Sequence, residues 1–247
     1  MLAQSREATY LLTNDKPTTL LTLQVRPAEV ETRLNRFLVA AEDEGRKVLL
    51  HLTNTGRLHD LIYRGASILY VPKPSAKTDG YLAGVKVGDL AAVIDTKLQA
   101  KCFEEAFKRR LIPWLSKYLQ YKKETYYMRR RFDYLLESDT EKAFLELKSA
   151  AYLSPDGAAM YPDTVSIRGR EHVKKLAEIS TSSKAYLVFV AAHPGARCFT
   201  PCDEGDPQMR PLLKIAKEKG VVVRAFKIHM SLEGDVYLGD PDLPVVL

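Results

Sequence analysis

The sequence predicts a two-part protein, a small β-barrel followed by an α/β unit with a mixed central sheet. Up to about residue 96, short apolar runs alternate with turns that contain Gly, Pro or Asn, a texture typical of small barrels. After residue 96 the pattern changes to the order α-β-β-β-α-β-α-β, whose last part alternates as in sheets covered by helices. We therefore expect a barrel domain over residues 1–96 and an α/β domain over residues 97–247.

The first part reads as a series of short strands. Two are expected at residues 6–13 and 18–25, around a polar turn at residues 14–17. EVETRLNRFLVAAE and KVLLHLT then flank a turn at residues 43–45; the first piece has helical propensity, but its β-rich partner favours a hairpin. ILYVPK, GYLAGVKVGDL and LAAVIDT complete the series. So many short strands within about 90 residues indicate a barrel of the OB type.

The second part begins with a helix in LQAKCFEEAFKRRL, where apolar side chains recur at helical spacing. Strands are expected near residues 121–128, 131–137 and 143–151, followed by a helix near 169–181. The run AYLVFVAAH predicts a buried strand, residues 207–219 a further helix, and VVVRAFKI a last strand.

Composition describes an ordinary globular protein, with 46% hydrophobic and 28% charged residues among 247. No apolar run approaches the roughly 20 residues of a membrane span, and the N-terminus does not resemble a secretory signal. Three cysteines form no disulfide framework, so we expect a cytoplasmic protein without membrane association. Cys198, Cys202 and His193 could ligate zinc, but a closed structural site requires a fourth ligand and tighter spacing.

Positive charge is concentrated in one segment. Residues 101–131 contain ten Lys or Arg and three Glu, a local charge of +7 against +6 for the whole chain, with aromatic residues between them. This mixture suits contact with a polyanion and stacking on bases. The alternative is a solvated helix face whose aromatic side chains are buried. The candidate nucleic-acid contacts, which include two residues of the helix after the hairpin, are Lys108, Arg109, Arg110, Arg129, Arg130, Arg131, Arg168 and Arg170.

Charged residues interrupt the predicted hairpin RRRFDYLLESDTEKAFLELKSA. Glu146 and Lys148 share one face of their strand, and a tight antiparallel pair can bring Asp133 beside Glu146. Two adjacent carboxylates repel each other unless a proton or a cation lies between them, and Mg²⁺ or Mn²⁺ suits such oxygen ligands. With Lys148 on the same face, these groups would suffice for metal-dependent phosphodiester hydrolysis. The alternative is a cross-strand salt bridge between Asp133 and Lys148.

The order of elements gives this motif a context. An α-β-β-β-α-β order with acids on the second and third strands matches the core of the PD-(D/E)xK nuclease superfamily. Pro162 and Asp163 spell "PD" but follow the E-x-K motif, so they cannot be its first half. The glycines at 80, 84 and 88 lack the setting of a phosphate loop, and we expect no organic cofactor.

The chain as a whole resembles the sugar fermentation stimulation protein A family. The matching blocks are LNRFLVA, HLTNTGRL, RRFDYLLES, FLELKSA, MYPDTVSIRGREHVKKL and GVVVRAFKI, within residues 34–228. Thr53 and Ala100 depart from the family pattern. The resemblance implies an OB-like barrel, a PD-(D/E)xK-like domain, DNA binding and a link to the regulation of sugar metabolism.

Carried over residue by residue, the resemblance implies that Asp133 and Glu146 are the acids of a nuclease-like site and Lys148 its lysine. Glu124 matches a glutamate before the Asp strand and is a candidate additional ligand.

Two functions follow from these observations. The first is a DNA-binding protein with a divalent-metal site. The second is an active Mg²⁺- or Mn²⁺-dependent nuclease, in which Asp133, Glu146 and the Leu147 carbonyl hold the metal and Lys148 assists the attacking water. For Asn54-Thr55-Gly56 we favour a turn over a nucleic-acid contact, and for His193 a buried, hydrogen-bonded histidine. The sequence leaves strandedness and oligomeric state open.

Overall fold

The computed structural model describes residues 17–127 and 130–247. Within these ranges, thirteen strands form one large mixed sheet and three shorter strands form a second. The strand expected at residues 6–13 and the candidate contact Arg129 lie outside the described residues.

The first part contains a closed five-stranded barrel. Its strands are β2 (Arg26–Asn35), β3 (Leu38–Asp43), β4 (Arg46–His51), β5 (Ser67–Pro72) and β6 (Gly80–Val87), paired in the order β4-β3-β2-β5-β6. A parallel pairing of β4 with β6 closes the ring. The predicted OB-like barrel is thus confirmed. EVETRLNRFLVAAE is itself a hairpin, β2–β3, because alternate side chains such as Val30 and Val39 point into the barrel core.

The second part has the predicted order of elements. It comprises α1 (Thr96–Lys108), β8 (Gln120–Tyr127), β9 (Arg130–Glu137), β10 (Lys142–Ala150), α2 (Ile167–Ile179), β13 (Lys184–Ala191), α3 (Met209–Glu218) and β15 (Val222–Ser231). In the sheet β15-β13-β10-β9-β8, the strands β15, β13 and β10 are parallel to one another, whereas β9 is antiparallel to both of its neighbours, β10 and β8. The mixed central sheet is thus confirmed.

Several short or polar elements were not predicted. β11 (Tyr152–Leu153), β12 (Ala158–Tyr161) and β14 (Cys198–Pro201) form the small sheet, and β16 (Asp235–Leu243) pairs with β15. β1 (Thr18–Thr22) lies within the expected strand 18–25 and pairs with β16. The N-terminal end of the described chain therefore adds a strand next to the C-terminal one.

The two parts share one sheet and one core. β7 (Leu90–Val93) pairs with both β6 and β15, and a continuous apolar cluster extends from the barrel under α1 to β10, β13 and β15. The helices α2 and α3 cover the other face of the α/β sheet, with a second apolar cluster. The division at residue 96 stays a prediction. None of the helices in the described ranges is long and apolar enough to cross a membrane.

Candidate metal and nucleic-acid site

The β9–β10 hairpin opens at the predicted acids. Its antiparallel ladder ends at the pair Leu145–Tyr134, one step before Glu146 and Asp133. From there the Oδ2 atom of Asp133 accepts a hydrogen bond from the Leu147 N–H at 2.8 Å, so a side chain replaces a backbone carbonyl. β10 meanwhile stays paired with β13 through Ala150. The divergence of β9 from β10 creates room for a ligand between the two carboxylates.

Glu146 is the most enclosed group of this site. Its side chain is 3% exposed, and its Oε1 atom contacts Lys148 Nζ at 2.5 Å and also His172 Nδ1, which α2 provides. The other oxygen, Oε2, is buried and has no hydrogen-bond partner in the described part of the chain. A buried carboxylate oxygen without a partner is costly. It is the kind of atom that a bound cation satisfies.

The charges around Glu146 shift the pKa values of the site in opposite directions. Burial alone would raise the pKa of Glu146, but Lys148 and His172 outweigh it and hold that pKa below its usual value. The Asp133 side chain is exposed, but the protein atoms packed around its carboxyl partly desolvate it. This desolvation, together with the negative charge of Glu146, raises the pKa of Asp133. Burial would lower the pKa of Lys148, but its ion pair with Glu146 raises it. Among the described residues, Asp133 forms no ion pair, whereas Glu146 is paired with Lys148.

The site lies in a cleft of about 790 Å³ that we call the central cleft. Its walls come from both parts of the chain: the turn at residues 53–58, the start of α1, the hairpin β9–β10, and residues 160–168 before α2. At the predicted turn, the Asn54 Oδ1 atom accepts the Gly56 N–H at 3.1 Å, while neither Asn54 nor Gly56 has a positive φ. The Asn54 Nδ2 atom donates to Ser149 Oγ at 3.1 Å, which connects the turn to β10.

Asp163 forms a second connection across the central cleft. Its Oδ2 atom accepts the Leu58 N–H at 2.9 Å, and a Cβ atom at Gly56 would lie 2.8 Å from both carboxylate oxygens. The Pro162-Asp163 pair is therefore part of the site's framework, although it is not the first half of the metal motif.

Two of the predicted nucleic-acid contacts, Arg131 and Arg168, line the central cleft. Glu124 lies there too, in register with Asp133, and its exposed carboxylate is 3.4 Å from Arg131 Nη1. Arg130 lies 3.9 Å from Glu171 on the outer side of the hairpin, and Arg170 lies 3.4 Å from the buried Asp206.

The remaining predicted contacts are at the C-terminal end of α1, whereas the N-terminal end of that helix faces the central cleft. A 13-residue helix separates its two ends by about 18 Å. Lys108 is exposed there. Arg109 donates to the Thr19 carbonyl at 2.6 Å, and Arg110 donates to the Tyr118 carbonyl at 2.7 Å. These two arginines thus already bind backbone carbonyls.

Most of the aromatic side chains between these charges are structural. Phe103, Phe107 and Tyr118 are buried in the core, which supports the alternative of a helix face with buried aromatics, while Tyr126 is exposed. Other cleft residues were not among the predicted site residues: Arg36 and Lys97, which are distant from the hairpin in the chain, Lys123 of the basic segment, and His172 of α2, which contacts Glu146. Lys123 is paired with Glu104 at 2.6 Å.

Among residues 17–127 and 130–247, no three His, Cys, Asp or Glu side chains converge on one point. The protein therefore offers two carboxylates rather than a complete coordination cage, which is how Mg²⁺ is often held beside a phosphate. Cys198, Cys202 and His193 form no such group either.

A closed OB-type barrel continues into a mixed α/β sheet, and an Asp, a Glu and a Lys lie where the β9–β10 hairpin opens; together they define a two-part protein of a β-barrel and an α/β unit. The family model "SfsA N-terminal OB domain" matches residues 32–94, and the model "Sugar fermentation stimulation protein RE domain" matches residues 97–234. The chain belongs to the sugar fermentation stimulation protein family.

Relatives cover nearly the whole chain. The sugar fermentation stimulation protein homolog of Pyrococcus furiosus is 39% identical over 210 residues, which is 84% of this chain and 91% of the relative. That of Archaeoglobus fulgidus is 38% identical over 215 residues, 87% of this chain and 93% of the relative. A solved structure, described as Pyrococcus furiosus SfsA in complex with Ca²⁺, superposes with a TM-score of 0.89 at 35% identity, over 93% of this chain and all of that one.

Proposed function

We propose that the protein binds DNA in the central cleft and holds a divalent cation, Mg²⁺ or Mn²⁺, between Asp133 and Glu146. The observation that supports this most directly is Glu146 Oε2, a buried carboxylate oxygen with no partner among the described residues. Glu146 is also close enough to Asp133 for its charge to raise the pKa of that carboxyl. A hard divalent cation satisfies both carboxylates at once. The carbonyl of Leu147, the residue that follows Glu146 in β10, is the third proposed ligand.

The chemistry of the donors fits such a cation. Carboxylate and carbonyl oxygens are the ligands that Mg²⁺ and Mn²⁺ prefer, and Lys148 and His172 occupy only Oε1 of Glu146. The related Pyrococcus furiosus protein has been solved in complex with Ca²⁺, another oxygen-seeking divalent ion. Glu124, exposed on the neighbouring strand, is a candidate for a further ligand through water.

Positive side chains on the walls support nucleic-acid binding. Arg36, Lys97, Arg131 and Arg168 line the central cleft from both parts of the chain. Each phosphate that they neutralise releases counterions, so DNA affinity should fall steeply with salt. All three cysteines are free thiols, which is typical of proteins in a reducing compartment, and we propose that the protein is cytoplasmic. A link to sugar metabolism rests on the family's name alone.

Lys148 favours a second candidate function, hydrolysis of phosphodiester bonds. Its side chain is 14% exposed and lies on the strand face that bears the proposed metal ligand, and its ammonium is paired with Glu146. A divalent cation, when bound, would polarise a phosphoryl oxygen and acidify water. Lys148 would then place positive charge where negative charge develops on the phosphate and orient the attacking water. Asp133 and Glu146 would hold the cation in place, since the β9–β10 hairpin fixes the positions of both residues.

The test is cleavage of labelled single- and double-stranded DNA in Mn²⁺, Mg²⁺ or EDTA, by the wild type and by Glu146→Gln. Hydrolysis predicts metal-dependent cutting that Glu146→Gln abolishes while DNA binding persists. The matched control is Glu42→Gln, which removes an exposed carboxylate outside the central cleft. Cutting by Glu146→Gln at the wild-type rate would exclude the site as catalytic. Binding without cutting in any metal would leave the binding function as the sole one.

The place of DNA contact is tested by salt dependence. Replacing Arg131 and Arg168 by Ala should reduce the slope of log affinity against log salt by about two, one for each phosphate that the variant no longer neutralises. Lys108→Ala tests the other end of α1. A slope that responds to Lys108→Ala, and not to the two cleft arginines, would place the DNA outside the central cleft.

A further inference from the structure

The geometry of the central cleft points to a single-stranded polynucleotide as its ligand, with intact duplex excluded; we infer this from the depth, size and rigidity of the cleft and from the side chains at its mouth. The inference rests on the proposed nucleic-acid binding and specifies the strand class that the site accepts.

Depth is the first argument. Glu146 and Lys148 lie at the floor of the central cleft, 3% and 14% exposed, and the His172 ring covers them from α2. A phosphodiester can contact these groups only if the strand that carries it enters between the walls. In a duplex, each strand is attached along its whole length to a partner that must remain outside.

Size is the second argument. The central cleft has a volume of about 790 Å³. This volume lies in the range of about 300–1,000 Å³ that encloses drug-sized ligands, the size class of one or two nucleotides. The cleft is therefore sized for a short stretch of one strand.

Rigidity is the third argument, because a hinged cleft could widen around a duplex. The walls are connected by the hydrogen bonds from Asn54 to Ser149 and from Leu58 to Asp163. Behind them, β7 pairs with β15, so the sheet itself continues from one part to the other. Opening the cleft would break these partly buried hydrogen bonds and a sheet ladder together, so the fold holds the two walls in place.

The side chains at the mouth provide the fourth argument. Arg36 lines the cleft, and its guanidinium lies 4.7 Å above the ring of the next residue, Phe37, which is 44% exposed. Val165 also lines the cleft and is 58% exposed, and the nearby Ile167 is 70% exposed. Exposed aromatic and apolar groups beside cationic ones bind bases by stacking, and only a single strand presents its bases.

The test is fluorescence anisotropy with one labelled sequence as a single DNA strand, as a single RNA strand and as a blunt duplex, in EDTA and in Ca²⁺. We expect the single strand to bind at least tenfold more tightly than the duplex. Equal or tighter binding of the duplex would overturn the inference. Tighter binding of the RNA strand than of the DNA strand would still support a single-stranded ligand and would identify it as RNA. No binding of any of the three would overturn the proposed function itself, and the inference with it.

A pair of variants tests the mouth. Phe37→Ala should weaken single-strand binding about fivefold or more, the effect of losing one stacked base. Tyr63→Ala is the matched control, since it removes an exposed aromatic of the first part that, unlike Phe37, is not next to a cleft residue in the chain. Melting curves confirm that both variants fold. An unchanged affinity of Phe37→Ala, or an equal loss in both variants, would contradict stacking at this position.

Discussion

The contact between Asp163 and the turn at residues 56–58 supports a sharp prediction about stability. Asp163 is the hydrogen-bond acceptor for the N–H of Leu58, a residue that is 2% exposed and has a positive φ of 50°. Gly56 faces the same carboxylate so closely that a methyl group would lie 2.8 Å from both oxygens. Gly56→Ala and Asp163→Ala therefore remove one and the same interaction by different routes.

The magnitude follows from the lost hydrogen bond. Asp163→Ala leaves the buried Leu58 N–H unpaired, which costs about 1–3 kcal/mol. Gly56→Ala alone should cost a similar amount, because the new methyl displaces the carboxylate. In the double variant the methyl has no carboxylate to displace, so the two costs should not add. We expect the double variant to be only slightly less stable than Asp163→Ala.

The assay is a double-mutant cycle by thermal and urea denaturation. For a chain of this length, each kcal/mol corresponds to a shift in Tm of about 2–4 °C. Thr55→Ala, in the same turn but exposed, is the control and should stay near the wild type. Costs that add to within about 0.5 kcal/mol would refute the reasoning, because they would show that Gly56 and Asp163 do not interact.

Three further outcomes are expected. Burial, with a smaller effect of Lys227, lowers the pKa of His193 to about 4, whereas the unfolded chain binds this proton near pH 6.5. The free energy of unfolding should therefore fall by about 3 kcal/mol as the pH is lowered from 6.5 to 4, and a denaturation series over this range should show a smaller fall for His193→Asn. Ser149→Ala should cost about 1–3 kcal/mol, since it leaves the Asn54 amide without its acceptor and removes one of two from Gln99; a denaturation midpoint equal to the wild type would contradict this. Burial raises the pKa of the Cys102 thiol to about 12, so a thiol reagent should modify it only after unfolding, and rapid labelling in the native protein would contradict its burial.

The parts of the fold that the sequence predicts are those with a strong period or a strong motif. The apolar strands and helices of the α/β sheet were visible because each buries a regular pattern, and the hairpin acids because a charge in such a strand is unusual. β16 was missed, since DVYLGDPDL contains Gly, Pro and three Asp and pairs through two irregularities in register. β14 was missed because its four residues are too few to reveal a period.

The site was only partly predictable for a different reason. Asp133, Glu146 and Lys148 are near one another in the chain, so strand alternation sufficed to bring them together. Arg36 and His172 reach the same cleft through tertiary packing, which no local pattern reports. A run of positive charge likewise does not tell which arginines are free, and the carbonyl contacts of Arg109 and Arg110 appear only in three dimensions.

The central claim, a divalent cation between Asp133 and Glu146, is tested most directly by calorimetric titration of Mn²⁺ into the metal-free protein. The same titration is made with Glu146→Gln, which keeps the shape of the side chain, and with Glu42→Gln as the control. We predict one Mn²⁺ per chain, an affinity at least about tenfold weaker in Glu146→Gln, and no change in the control. Equal Mn²⁺ affinity in the wild type and Glu146→Gln would contradict the claim and leave the charges of the hairpin as a structural ion pair.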